Sequence, residues 1–189
     1  MKTIALVAEK GAGKGLFVEI VKKLLPDIRI VSVRFSDPLC DMLDILGKVK
    51  SRQNIDTMVT ALREAFHEEG ILNEAMRKRL NGIDADLIIL DGLRKDEEVV
   101  MVHECEGILV YIPADQERRY QRRKDAPEKP DEASISLEGF KISDQAAPQL
   151  SIRRIGETMA DARIENNGTV EEFEAKIKEF LDKYHIQDK

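Results

Sequence analysis

The sequence predicts an α/β fold in which a five-stranded parallel sheet carries helices on both faces. Three observations lead there. Short apolar runs alternate with amphipathic helical patterns along the chain, which is the pattern of successive βαβ units. One run, Leu87-Ile88-Ile89-Leu90, is apolar without alternation, as strands covered on both sides of a parallel sheet are. The first run, Ile4-Ala5-Leu6-Val7, breaks into Ala8-Glu9-Lys10-Gly11-Ala12-Gly13-Lys14-Gly15 before helical spacing resumes. A strand, a glycine-rich turn and a helix in that order build a concavity for anions. Glycines let consecutive N–H groups curl inward, and the helix points its positive dipole end at the same spot.

The elements follow in order. After the turn, Phe17, Ile20, Val21, Leu24 and Leu25 share one helical face until Pro26. Residues 28–33 alternate enough for a second strand. Asp37 followed by Pro38 predicts a helix N-cap with proline in the first helical position, opening a helix through Leu39, Leu43 and Leu46 that stops at Gly47. Residues 48–54 are polar and linker-like. Ile55, Met58, Val59, Leu62 and Phe66, then Ile71, Leu72, Ala75, Met76 and Leu80, predict two helices packed as a pair. Their outer faces carry Arg63, Arg77, Lys78 and Arg79. Residues 86–91 form a third strand ending in a carboxylate, a helix covers 99–103, and a fourth strand covers 107–112. Arg118, Arg119, Arg122 and Arg123 follow on a helix.

Over residues 124–151 the apolar density collapses and three of the six prolines gather (Pro127, Pro130 and Pro148). Such a stretch reads as a lid or a loop rather than as packed elements. A short fifth strand at 162–164 precedes the turn Asn166-Asn167-Gly168. Thr169 with Glu172 makes a capping box for a last helix faced by Val170, Phe173, Ile177, Phe180 and Leu181.

At 189 residues the chain is one domain. Its 36 acidic against 30 basic residues, a net charge of −6, argue against general nucleic-acid binding, which wants a basic face. Cys40 and Cys105 have no close spacing, so neither a disulfide framework nor a zinc site is indicated, and His67, His103 and His185 lie far apart. The N-terminus runs straight into the first strand without a cleavage pattern, and no apolar run reaches membrane-spanning length. The expectation is a cytoplasmic protein with a small-molecule partner and no membrane, a monomer and a homodimer both remaining open.

In a parallel α/β sheet, ligands bind beyond the carboxyl ends of the strands. Lys14, Asp37 and Asp91 each follow a strand and should converge there. A lysine in a glycine nest, a carboxylate for Mg²⁺ and several arginines are the parts phosphoryl transfer needs. Against the pattern G-x-x-x-x-G-K-[ST], the chain has Ala8 for the first glycine and Gly15 for the hydroxyl, and Leu16 offers no hydroxyl either. Direct Mg²⁺ ligation by the turn is therefore missing. Asp91 fits a Walker B carboxylate, with a turn former before Gly92 as the plain alternative. Arg94 would stand beside it and could fork onto an acceptor phosphate. Arg119 and Arg122, three apart, can share a helical face, although a solvated charged face explains such runs as well. Asp37 either caps its helix or serves as a base for a hydroxyl acceptor.

Several motifs resemble P-loop kinases of the nucleoside monophosphate kinase group. Gly13-Lys14-Gly15 is similar to the adenylate kinase loop, and Leu90-Asp91-Gly92-Leu93-Arg94 resembles its D-G-F-P-R segment, one residue shorter. Arg34-Phe35-Ser36-Asp37-Pro38-Leu39 is similar to phage-type deoxynucleoside monophosphate kinases and animal-type phosphomevalonate kinases. The tail Ile164-Glu165-Asn166-Asn167-Gly168-Thr169 resembles these too, and with the Arg119–Arg122 region it also resembles dephospho-CoA kinases.

The resemblance implies a three-layer P-loop NTPase fold, a helical acceptor-binding insertion over 37–82 and a lid over 118–151. It implies ATP and Mg²⁺ as cofactors. Gly11, Ala12, Gly13, Lys14, Gly15 and Leu16 would cradle the phosphates, with Asn167, Gly168 and Thr169 by the adenine. Lys14, Asp91, Arg119 and Arg122 would be catalytic, with Asp91 toward the metal. Arg34, Asp37, Arg63 and Arg94 would meet a small phosphate acceptor, foremost a nucleoside monophosphate. Dephospho-CoA kinase-like and phosphomevalonate kinase-like activities are the alternatives, and a nucleotide-binding module without catalysis is the rival of another class.

Overall fold

A computed structural model describes residues 1–125 and 135–186. Strand β1 (Lys2–Val7) lies at the middle of the sheet, between β3 (Leu87–Asp91) and β4 (Ile108–Tyr111); β2 (Ile30–Arg34) and β5 (Ala162–Arg163) form the edges. All pairings are parallel, in the order β2-β3-β1-β4-β5. The uninterrupted apolar run of β3 is central and covered on both sides, as its composition demands.

Because side chains alternate along a strand, the sheet feeds two cores. Ile4, Leu6, Leu87 and Ile89 face α1 (Lys14–Leu24) and α9 (Val170–Lys183). There Phe17 meets Phe180 with ring centroids 6.4 Å apart. Ala5, Val7, Ile88 and Leu90 face the opposite layer. That layer holds α2 (Asp37–Ile45), α3 (Arg52–Phe66), α4 (Asn73–Asn81), α5 (Asp96–Glu104) and α8 (Ala147–Met159). Each large side chain such as Phe173 or Ile177 contributes about 1.5–3 kcal/mol by leaving water. Among the described residues, no helix is long and apolar enough to cross a membrane.

Most elements stand where their patterns put them. The capping box of α9 forms as expected: Glu172 N–H donates to Thr169 Oγ1 at 3.3 Å and Thr169 N–H to Glu172 Oε2 at 2.9 Å. Two local expectations need correction. Asp37 is the first residue of α2 rather than its cap, because its carboxylate accepts from Arg34 N–H at 2.8 Å and closes the turn out of β2. The polar stretch 48–54 is not all linker, since Ser51 accepts from Asn54 N–H at 3.1 Å and starts α3.

The stretch read as a lid or loop also differs. Its described part continues α6 (Gln116–Asp125), forms α7 (Leu137–Asp144) and opens α8. Periodicity misses these helices because α7 buries only Phe140 and Asp144, while α8 buries Gln149, Ile152, Ile155 and Gly156. Polar anchors replace the usual apolar stripe. Phe140 packs on Tyr120 at 5.7 Å and lies under the Arg119 guanidinium at 5.6 Å. Gly156 is needed because a Cβ there would overlap the Tyr111 ring. The part of the lid expectation that falls on 126–134 lies outside the described residues.

Candidate active site

At the carboxyl edge of β1 the chain turns through residues 8–13 into α1. Gly11 (φ +77°) and Gly13 (φ +109°) take the left-handed backbone that favours glycine. Space reinforces that choice. A Cβ on Gly11 would lie 2.6 Å from the Arg119 carbonyl oxygen, and one on Gly13 would overlap the Asn166 amide nitrogen. Lys14 Nζ reaches back to the Ala8 carbonyl at 3.2 Å and stands 3.9 Å from Asp91 Oδ1. Among the described residues, the N–H groups of Gly11, Gly13, Lys14 and Gly15 donate to no protein acceptor. Four such donors and an ammonium at the start of a helix are the groups that a phosphate-binding turn needs.

Nothing lies within 4 Å of a Cβ built on Gly15, so the hydroxyl absent from this turn leaves open space. Among the described residues, no cluster of three or more His, Cys, Asp or Glu could hold a metal. Asp91, 37% exposed beside Lys14, still fits Mg²⁺, which takes one or two protein carboxylates and keeps waters and phosphates as its other ligands.

Behind the loop, a group of buried charges holds it. Arg119 donates from Nη1 and Nη2 to the two oxygens of Asp144 at 2.8 and 2.6 Å, from Nε to Ala114 O and from Nη1 to Lys10 O. Arg153 joins Asp144 to Glu9, at 3.2 and 3.1 Å. Gln149 accepts from Lys10 N–H at 3.2 Å, and Tyr111 donates to Glu9 Oε2. Burial pushes the Asp144 carboxyl up, but bonds from Arg119 and Gln116 and the nearby guanidinium charges outweigh it and hold it below its usual value. Burial also raises the Tyr111 phenol, helped by the Glu9 carboxylate.

On the other side, β2 and β3 run in register with Arg34 opposite Asp91, and Phe35 N–H donates to Asp91 O at 2.8 Å. Arg94 is held by its backbone, whose N–H donates to Glu98 Oε2 at 2.7 Å and whose carbonyl accepts from Ser151 Oγ at 2.7 Å. Its guanidinium meets no carboxylate within ion-pair distance among the described residues. Burial pushes that guanidinium's pKa down and the charge of Arg52 adds to the push, against the opposing pull of Asp56, Glu98 and Asp91. A half-buried guanidinium without a paired carboxylate keeps donors that an anion could take.

The structure therefore brings Lys14 and Asp91 together, with Arg34 and Arg94 on the same edge. Arg122 belongs there as well. It donates to Asn166 O and Oδ1 at 2.9 and 3.2 Å, and its Nη1 is buried without a partner among the described residues. Burial and the charge of Arg118 lower its pKa. Arg119 instead sits 2% exposed behind the loop. Arg63 is held by Glu98 at 3.1 Å and by Glu69 O at 2.9 Å. Asn167 bonds with Asp115 and Glu165, while Gly168 and Thr169 lie in the α9 capping turn. It is Asn166 that touches the loop, donating to Ala12 O at 2.8 Å. The Asn-Asn-Gly turn signalled a loop but not which asparagine points inward. Arg52, Glu9, Asp144, Gln149 and Arg153 carried no signal of spacing at all.

No family model matches this sequence. Among curated proteins, a UPF0200 protein of Methanoculleus marisnigri is 26% identical over 183 residues, covering 96% of each chain. A UPF0200/UPF0201 protein of Archaeoglobus fulgidus is 27% identical over 197 residues, spanning 96% of this chain and 55% of that longer protein. Solved structures of shikimate kinases share the fold. That of Bacteroides thetaiotaomicron superposes with a TM-score of 0.60 at 14% identity, over 97% of this chain and 98% of its own. That of Aquifex aeolicus gives 0.55 at 19% identity, over 98% and 99%. That of Acinetobacter baumannii, in complex with shikimate, gives 0.53 at 18% identity, over 100% and 96%. At such identities the likeness concerns the fold: a five-stranded parallel sheet in the arrangement of P-loop kinases.

Proposed function

We propose that the chain is an ATP-dependent phosphotransferase acting on a small anionic metabolite, with a nucleoside monophosphate as the acceptor class its motifs favour. One observation carries this reading: a glycine turn whose amides at Gly11, Gly13, Lys14 and Gly15 have no protein acceptor among the described residues, with Lys14 at 3.9 Å from Asp91 on the neighbouring strand end. The nest would bind the ATP phosphates and Lys14 would neutralise charge on the moving group. Mg²⁺, held by ATP, water and Asp91, would supply further charge neutralisation. Arg122, with Arg118 nearby, would close on the phosphates from α6, and Arg34, Arg94 and Arg52 would orient the acceptor. Asp37, whose one oxygen is engaged by Arg34 N–H, would shape the acceptor side.

A coupled assay tests this with ATP, Mg²⁺ and a panel of nucleoside monophosphates, dephospho-CoA, phosphomevalonate and shikimate. The expected result is turnover with one phosphorylated acceptor, lowered about 10²–10³-fold in Lys14→Ala. Activity confined to dephospho-CoA or shikimate would move the acceptor group from phosphate to hydroxyl and make Asp37 the base. The open space at Gly15 favours a second reading, a nucleotide-binding module without catalysis. ATP binding with no transfer and no slow hydrolysis would establish it.

A further inference from the structure

Two of the loop's residues, Glu9 and Lys10, are not part of its glycine pattern, yet side chains from α6, α8 and β4 grip them. Glu9 is 4% exposed and holds Arg153 and Tyr111. Lys10 uses both backbone groups: its N–H donates to Gln149 and its carbonyl accepts from Arg119. Arg153 and Gln149 lie on α8, Asp144 ends α7, and Arg119 lies on α6. Glu9, Asp144, Arg119 and Arg153 are two carboxylates and two guanidiniums, three of them buried and Arg153 partly exposed, so the four charges cancel.

A buried ion pair adds little net stability, because desolvation cancels much of the attraction. Its directional bonds, however, hold whatever they touch. Here they touch the outer wall of the phosphate loop, where the Glu9 carbonyl also accepts from Ala12 N–H at 3.2 Å. With its outer polar groups bound outward, the loop keeps its inward amides arranged before any ligand arrives, which removes an ordering cost from binding.

We propose that Arg153, bridging Glu9 and Asp144, is a positioning residue that pre-shapes the phosphate loop from α8, and that Asp144 serves it by anchoring Arg119 against Lys10 O. The proposal rests on the loop being a polyphosphate site.

Arg153 is the residue to change, because its side chain is 32% exposed and its removal leaves the apolar cores intact. Full-length Arg153→Met, Arg153→Lys and the unaltered protein would be compared by hydrogen exchange without ligand and by calorimetry with ATP and with inorganic tripolyphosphate. In Arg153→Met, the amides of Lys10 and Ala12 should exchange about ten-fold faster and both polyphosphates should bind about ten-fold more weakly, the scale of losing a charged hydrogen bond. Peptides from α5 should exchange as before, and the melting temperature should stay within a few degrees, which separates positioning from general loosening. Arg153→Lys, which keeps the charge but reaches one carboxylate at a time, should fall between. Unchanged exchange at Lys10 and Ala12 would overturn the proposal, as would equal acceleration throughout the protein. Should the unaltered protein bind neither ATP nor tripolyphosphate, the polyphosphate reading would fall, and the exchange result would still decide whether Arg153 shapes the loop.

Discussion

The two sides of the glycine loop use arginine in opposite ways. Behind it, Arg119 is 2% exposed and every nitrogen of its guanidinium has an acceptor. In front, Arg94 is anchored through its backbone, and its guanidinium feels Arg52 as well as Asp56, Glu98 and Asp91 but reaches no carboxylate within ion-pair distance among the described residues. A buried guanidinium with all three nitrogens engaged has little left for a ligand, so its work is to hold protein in place. An unsaturated one, desolvated and beside like charge, gains most when an anion arrives. The carboxylates repeat the contrast. Asp144, among guanidiniums, is held below its ordinary pKa, whereas burial lifts Glu98 above its own despite three donors.

The largest effect expected from breaking this contrast is on stability behind the loop. Asp144→Asn leaves two guanidiniums short of a partner and should cost about 3–5 kcal/mol at neutral pH, read from urea unfolding. Its pH dependence has a definite sign. Because folding lowers the Asp144 pKa, the carboxylate stabilises above the ordinary value near 3.8, and that contribution is lost as pH falls through the folded value. The penalty of Asp144→Asn should therefore shrink in acid. Glu98→Gln should show the opposite slope. Folding raises the Glu98 pKa above 4.5, so the wild type loses stability as pH rises through that window while the glutamine does not. Parallel slopes for the two variants would erase the contrast.

In the loop itself, Lys14→Ala should lower phosphoryl transfer by about 10²–10³ while leaving the circular-dichroism melting curve in place, since one charge-stabilising donor is worth that much. Unchanged turnover would remove Lys14 from its assigned role. In front, Arg94→Met should raise the KM for the acceptor by about 10–100-fold and leave ATP binding alone, the range for one hydrogen bond to a charged group. An equal loss of ATP affinity would place Arg94 on the wrong side of the comparison. The smallest change is expected at the front wall. Gly15→Ser enters open space, and its hydroxyl should lower the half-saturating Mg²⁺ concentration a few-fold in a titration of turnover.

What the sequence determined by itself is whatever repeats locally or crowds into a short stretch. The unbroken Leu87–Leu90 run demanded a strand covered on both faces, Thr169 and Glu172 demanded a helix start, and the glycines before Lys14 demanded a tight turn, which Gly11 and Gly13 make with left-handed backbone. Spacing along one element carries that information, because backbone geometry converts it directly into faces and turns. Only the tertiary structure decided which charges serve the protein and which remain for a ligand. Arg119 and Arg122 look alike in sequence, yet one meets Asp144 and the other keeps a buried nitrogen without a partner among the described residues. The helices over 137–159 were hidden for the same reason, since polar bonds to distant residues seat them beside a sparse set of apolar side chains. Pairing between Glu9 and Arg153, 144 positions apart, follows no period. It exists only once the sheet has brought the strand ends together.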